Sequence, residues 1–74
     1  ISQDLEPIFS EVNRPTLIIW GRDDRVTPLS DGTKIHKLIS GSKFKIIENA
    51  RHSPQFTHPE EVSEKILKFL ANSQ

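Results

Sequence analysis

Two short polar clusters hold the residue types that move protons. Asp23 and Asp24 follow the apolar run Thr16 to Trp20 (TLIIW) and Gly21, while Arg51, His52 and Ser53 follow a second run, Phe44 to Glu48 (FKIIE). A carboxylate that accepts the Nδ1 hydrogen of a histidine fixes the ring's tautomer and stabilises the imidazolium. It leaves Nε2 free to take a proton from a nucleophile. An aspartate of the first cluster together with His52 would supply that pair, two of the three parts of an acyl-transfer site. The third part is missing from these 74 residues: no Gly-x-Ser-x-Gly elbow occurs, and Ser40-Gly41-Ser42 lacks the second glycine. An aspartate just after a strand also serves as a turn former or helix cap, which is the expectation for Asp23. His36 and His58 fall within and at the start of expected helices, where surface and capping roles suit them. Three histidines without a convergent carboxylate cluster do not make a metal site.

The elements that must position these groups are legible from apolar spacing. Leu5, Ile8, Phe9 and Val12 recur at i, i+3, i+4, i+7, a short helical face with Pro7 near its first turn and Pro15 beyond it. Thr16 to Trp20 is a continuous β-branched and aromatic run, as expected of a strand covered on both faces in a parallel sheet. Thr27 is expected to cap a helix that begins at Pro28, is lined by Ile35, Leu38 and Ile39, and ends at Gly41 with positive φ. Phe44 to Glu48 is a second strand, with Lys45 marking an edge that meets water. The stretch from Asn49 reads as a loop until Thr57 or His58 caps a last helix, with Glu60 or Glu61 completing a capping box. Val62, Ile66, Phe69 and Leu70 form that helix's apolar side, and Glu61 with Lys65 and Glu64 with Lys68 pair on its wet side. The fold class is therefore α/β, in the order α-β-α-β-α with two parallel strands and a right-handed crossover. In open parallel sheets functional groups gather at the strands' carboxyl ends, which brings both polar clusters to one rim.

Composition narrows the partners. Ten basic and ten acidic side chains cancel, leaving no net field of the kind that draws a protein to nucleic acid or an anionic membrane. Cysteine is absent, which excludes disulfides and thiolate metal sites. No apolar run approaches the roughly 20 residues of a membrane helix, and the start lacks the pattern of a signal peptide. The expectation is a soluble, cytoplasmic chain with no nucleic-acid or membrane partner. Nothing divides it internally, so residues 1–74 read as a single partial domain.

The run PTLIIWGRDDRVTP resembles the α/β-hydrolase segment in which a strand leads through Gly-x-x-Asp to a downstream Pro, here Gly21, Asp24 and Pro28. NARHSPQFTHPEEV is similar to the later segment in which the catalytic histidine precedes a small residue and a proline. The match runs through His52, Ser53, Pro54 and Pro59 to Val62. DLEPIFSEV resembles the helix leading into the acid-bearing strand, so the likeness covers nearly the whole chain. It implies that Asp24, not Asp23, is the triad acid and that His52 is the triad base. It implies no cofactor and an ester-like small-molecule substrate. Arg51 stands where family members commonly carry glycine. Family members also include dehalogenases, epoxide hydrolases, peptidases and cofactor-free oxygenases, and fold does not choose among them.

On this reading the chain is the C-terminal fragment of a serine-type hydrolase acting on a carboxylic ester or related acyl bond. It would be inactive alone, because its nucleophile lies elsewhere. The rival reading is a non-catalytic α/β binding or structural module that keeps the hydrolase shape. Either way, the strand Thr16 to Trp20 calls for pairing on both sides while the chain supplies one partner strand. Self-association through that edge, as a closed two-fold dimer, is expected.

Overall fold

A computed structural model describes residues 6–72. Its elements are α1 (Glu6–Ser10), β1 (Leu17–Gly21), α2 (Leu29–Leu38), β2 (Lys43–Ile47), α3 (Pro54–Thr57) and α4 (Pro59–Asn72). The two strands run parallel in a register that pairs Ile18 with Phe44, Trp20 with Ile46 and Gly21 with Ile47. Each strand lies one residue off the bounds expected from its apolar run. Leu5, expected on the face of α1, lies outside the described residues, and that helix is only five residues long.

Side chains alternate across a strand and paired residues share a face, so the register sorts the sheet into two sides. Ile18, Trp20, Phe44 and Ile46 lie on one. There α2 packs, with Gly32 against the rings of Trp20 and Phe44. Leu17, Ile19, Gly21 and Ile47 lie on the other, where α4 contributes Val62 to a core of Ile47 and Ala50 with Ile19 packed against it. The apolar run of β1 is therefore covered on both faces, as its composition requires.

Three local expectations are corrected. Thr27 does not cap α2: Pro28, whose side chain has no acceptor, occupies the cap position, and the Thr27 hydroxyl donates to Asp24. Likewise α2 stops at Leu38, and Gly41, at φ 76°, serves the turn into β2. Residues Pro54–Thr57, expected in a loop, form a helical turn, with proline's fixed φ suited to its first position. The apolar side of α4 is also only partly used. Val62 is buried, but Ile66 and Leu70 are 41% and 53% exposed, so the stripe is wider than the sheet beneath it. The two ion pairs form as spaced, Lys65 to Glu61 at 3.4 Å and Lys68 to Glu64 at 3.1 Å.

Candidate active site

Both chemistry-bearing loops leave the carboxyl ends of paired strands, and backbone bonds continue beyond the strands to hold them together. The Arg22 N–H donates to the Ile47 carbonyl at 3.0 Å, and the Asp23 N–H donates to the Ala50 carbonyl at 2.9 Å. Gly21 makes this approach possible. A Cβ there would stand 2.6 Å from the Ala50 carbonyl oxygen and closer still to that of Arg51, separations that real Cβ atoms do not show. An ion pair, Arg22 Nε to Glu48 Oε1 at 2.7 Å, joins the outer surfaces of the same loops. Asn49 takes φ 58° in the turn that follows β2, a left-handed conformation asparagine tolerates better than most residues.

This arrangement brings together Asp24 and His52, 28 residues apart in sequence, with His52 Nδ1 at 3.0 Å from Asp24 Oδ2. The carboxylate is buried, its side chain 4% exposed, whereas the imidazole is 53% exposed. Burial pushes the Asp24 carboxyl up, but the hydrogen bonds it accepts outweigh that cost. Donors are the Thr27 N–H, His52, the Thr27 hydroxyl and the Val26 N–H, and the carboxyl is lowered to about 2. An ionised carboxylate only accepts, so the His52 hydrogen facing it sits on Nδ1. Nε2 is left as the basic nitrogen. The pair opens on a cavity of about 300 Å³ whose lining includes Ile19, Trp20, Thr27, Pro54, Gln55 and Val62. Trp20 packs in the core and also faces the site: its ring rests on Gly32, its Nε1–H donates to the Thr27 carbonyl at 2.8 Å, and it walls this cavity.

The other candidates go elsewhere. Asp23 is exposed, and its backbone N–H ties the loops together. Arg51 is exposed and lines a polar cleft with Arg22, Asp23, Arg25 and Asp24. Its place before the histidine leaves the Asp24 to His52 bond formed. His36 is not a surface residue but half-buried, stacked on Phe44 with ring centroids 5.4 Å apart. Its Nδ1 lies 2.7 Å from Ser42 Oγ, which itself donates to the His36 carbonyl. That bond commits the Ser42 proton to the backbone and makes Ser42 a structural pin. The His58 ring bonds the Thr57 hydroxyl at 2.8 Å, and its carbonyl accepts the Val62 N–H in the first turn of α4. Among the described residues no helix is long and apolar enough to cross a membrane.

Sequence reasoning missed the part played by Thr27. The signal was present as Asp-x-x-Thr, since an aspartate carboxylate readily binds backbone N–H groups two and three residues on. Here the Val26 and Thr27 N–H groups meet Oδ1 at 2.9 and 2.8 Å.

Two parallel strands with helices packed on both faces, whose carboxyl ends bring a buried aspartate against a half-exposed histidine, make an α/β arrangement. The α/β-hydrolase fold family model matches residues 2–59, and the chain belongs to that family. It is 36% identical over 70 residues to a 2-hydroxy-6-oxononadienedioate/2-hydroxy-6-oxononatrienedioate hydrolase of Klebsiella pneumoniae, covering 95% of this chain and 24% of that protein. The enzyme of the same name from Escherichia coli is 34% identical with the same coverage. Among solved structures, a thermophilic esterase from Thermogutta terrifontis superposes with a TM-score of 0.89 at 27% identity, over 95% of this chain and 26% of that one. A serine hydrolase involved in carbazole degradation does so with a TM-score of 0.86 at 33% identity, over 89% and 26%. The chain thus spans about a quarter of the length of the curated relatives it matches.

Proposed function

We propose that this chain is the acid-base portion of a serine-type hydrolase that cleaves a carboxylic ester or a related acyl bond of a small molecule. Asp24 orients His52. His52 takes the proton of a serine supplied by another part of a longer protein, then returns it to the leaving group. The observation that carries this reading is the 3.0 Å bond from His52 to a buried carboxylate, with both residues lining a cavity. That the chain's relatives are hydrolases supports it. On the same reading the 74 residues alone are inactive, because no Gly-x-Ser-x-Gly elbow is among them. The free edge of β1 then belongs to a larger sheet, and in the isolated chain it pairs with a second copy.

The test is to join this chain to its upstream coding sequence and assay short-chain p-nitrophenyl esters. Hydrolysis abolished by His52→Ala, together with an upstream Gly-x-Ser-x-Gly, supports the assignment. A longer protein without such an elbow and without His52-dependent turnover would instead be a binding module on the hydrolase scaffold.

A further inference from the structure

The Asp24 to His52 pair is a three-body arrangement. Thr27 Oγ1 lies 2.9 Å from Asp24 Oδ2 and 3.3 Å from His52 Nδ1, while Oδ2 and Nδ1 are themselves 3.0 Å apart. A hydroxyl has one hydrogen. Because the carboxylate oxygen can only accept, that hydrogen points to Oδ2 and the hydroxyl's lone pairs are left toward Nδ1. The Nδ1–H of His52 therefore meets two acceptors, one charged and one neutral. The Thr27 backbone is fixed independently, by its own N–H on Oδ1 and its carbonyl on the Trp20 indole. The hydroxyl is thus held at the joint between acid and base by both the acid loop and the cavity wall.

The geometry points to Thr27 as a positioning residue of the catalytic pair, one whose hydroxyl orients the Asp24 carboxylate and holds the His52 hydrogen on Nδ1. This inference rests on the reading of Asp24 and His52 as acid and base. Without the hydroxyl, Oδ2 loses a donor and the imidazole a second acceptor, so the ring swings more freely and the Nε2–H tautomer gains population. A methyl in its place keeps the volume and removes both bonds. Packing alone would therefore leave the tautomer balance untouched.

The test uses the 74-residue chain and long-range ¹H–¹⁵N spectra of the neutral His52 ring, in which the two ring nitrogens report the tautomer directly. Thr27→Val is expected to raise the Nε2–H fraction of His52 by about threefold or more, the scale of losing one ordinary hydrogen bond. Thr27→Ser is expected to keep the wild-type balance, which also covers the case in which valine prevents folding. Unchanged ring nitrogens in a folded Thr27→Val, or a shifted balance in Thr27→Ser, would overturn the role given to the hydroxyl. Asp24→Asn separates the two levels. If it shifts the balance and Thr27→Val does not, the acid-base pair stands and the inference about Thr27 falls. If neither variant shifts it, the pair itself is wrong.

Discussion

Gly21 and Ala50 pass so closely that a Cβ on Gly21 would stand 2.6 Å from the Ala50 carbonyl oxygen. The contact is backbone on both sides, at the point where the two strands become the two site loops. No flexible side chain is there to yield. The same two loops carry Asp24 and His52, whose side chains meet at 3.0 Å.

Gly21→Ala should therefore destabilise the chain by about 1–3 kcal/mol, the usual cost of forcing extra atoms into a packed site. It should also part the two loops. Urea unfolding measures the first effect, and loss of the His52 Nδ1–H resonance measures the second. Wild-type stability with that resonance intact would show that the loops have slack the structure does not reveal.

On the proposed function, in a protein that also supplies the serine, His52→Ala should lower kcat by roughly a thousandfold or more with little change in the unfolding midpoint, because the ring is half-exposed and a triad acts as a unit. Asp24→Asn should also lower it strongly, by disfavouring the Nδ1–H tautomer. Asp23→Asn should do far less, since that side chain is exposed. Equal losses at the two aspartates in steady-state assays would show the acid to be misassigned.

Acid should weaken the fold through Asp24. Its carboxyl is lowered from 3.8 to about 2 in the folded chain. The ionised form is thus the one that folding favours. The contribution is fully present above the unfolded value and is lost as pH falls from about 4 through 2, amounting to about 2 kcal/mol. Circular dichroism across that range should show a steeper loss for wild type than for Asp24→Asn, which has no proton to gain there. Parallel curves would place the acid sensitivity on other carboxylates.

The isolated chain should show no His52-dependent ester hydrolysis and should self-associate at micromolar concentration. Within the described residues β1 pairs on one side only, and Ile66, Leu67 and Leu70 on α4 are exposed. Sedimentation velocity checks this. A strictly monomeric, well-folded species would mean that the free edge is not adhesive.

Much of the architecture was legible because local periodicity is a physical consequence of burial. A run such as TLIIW has no polar side to offer water, so it must be covered on both faces. Glutamates and lysines four apart on a helix meet whatever else surrounds them. Apart from the helical turn α3, the order of helices and strands follows from such local rules, as do the two ion pairs of α4 and the placing of Asp24 and His52 at strand ends. Which aspartate meets His52 followed less directly. Composition left Asp23 and Asp24 open, and only the resemblance of the Gly-x-x-Asp run favoured Asp24.

Tertiary structure alone decided which groups touch. Thr27 reads locally as a helix cap, yet Pro28 takes the cap position and the Thr27 hydroxyl donates to the buried Asp24 carboxylate. His36 reads as a surface residue, yet the return of the chain at Ser42 and Phe44 buries it. Ile66 and Leu70 read as core, yet among the described residues the sheet beneath α4 is two strands wide. Each of these outcomes depends on what another segment brings to the same place, and periodicity within one element carries no record of that.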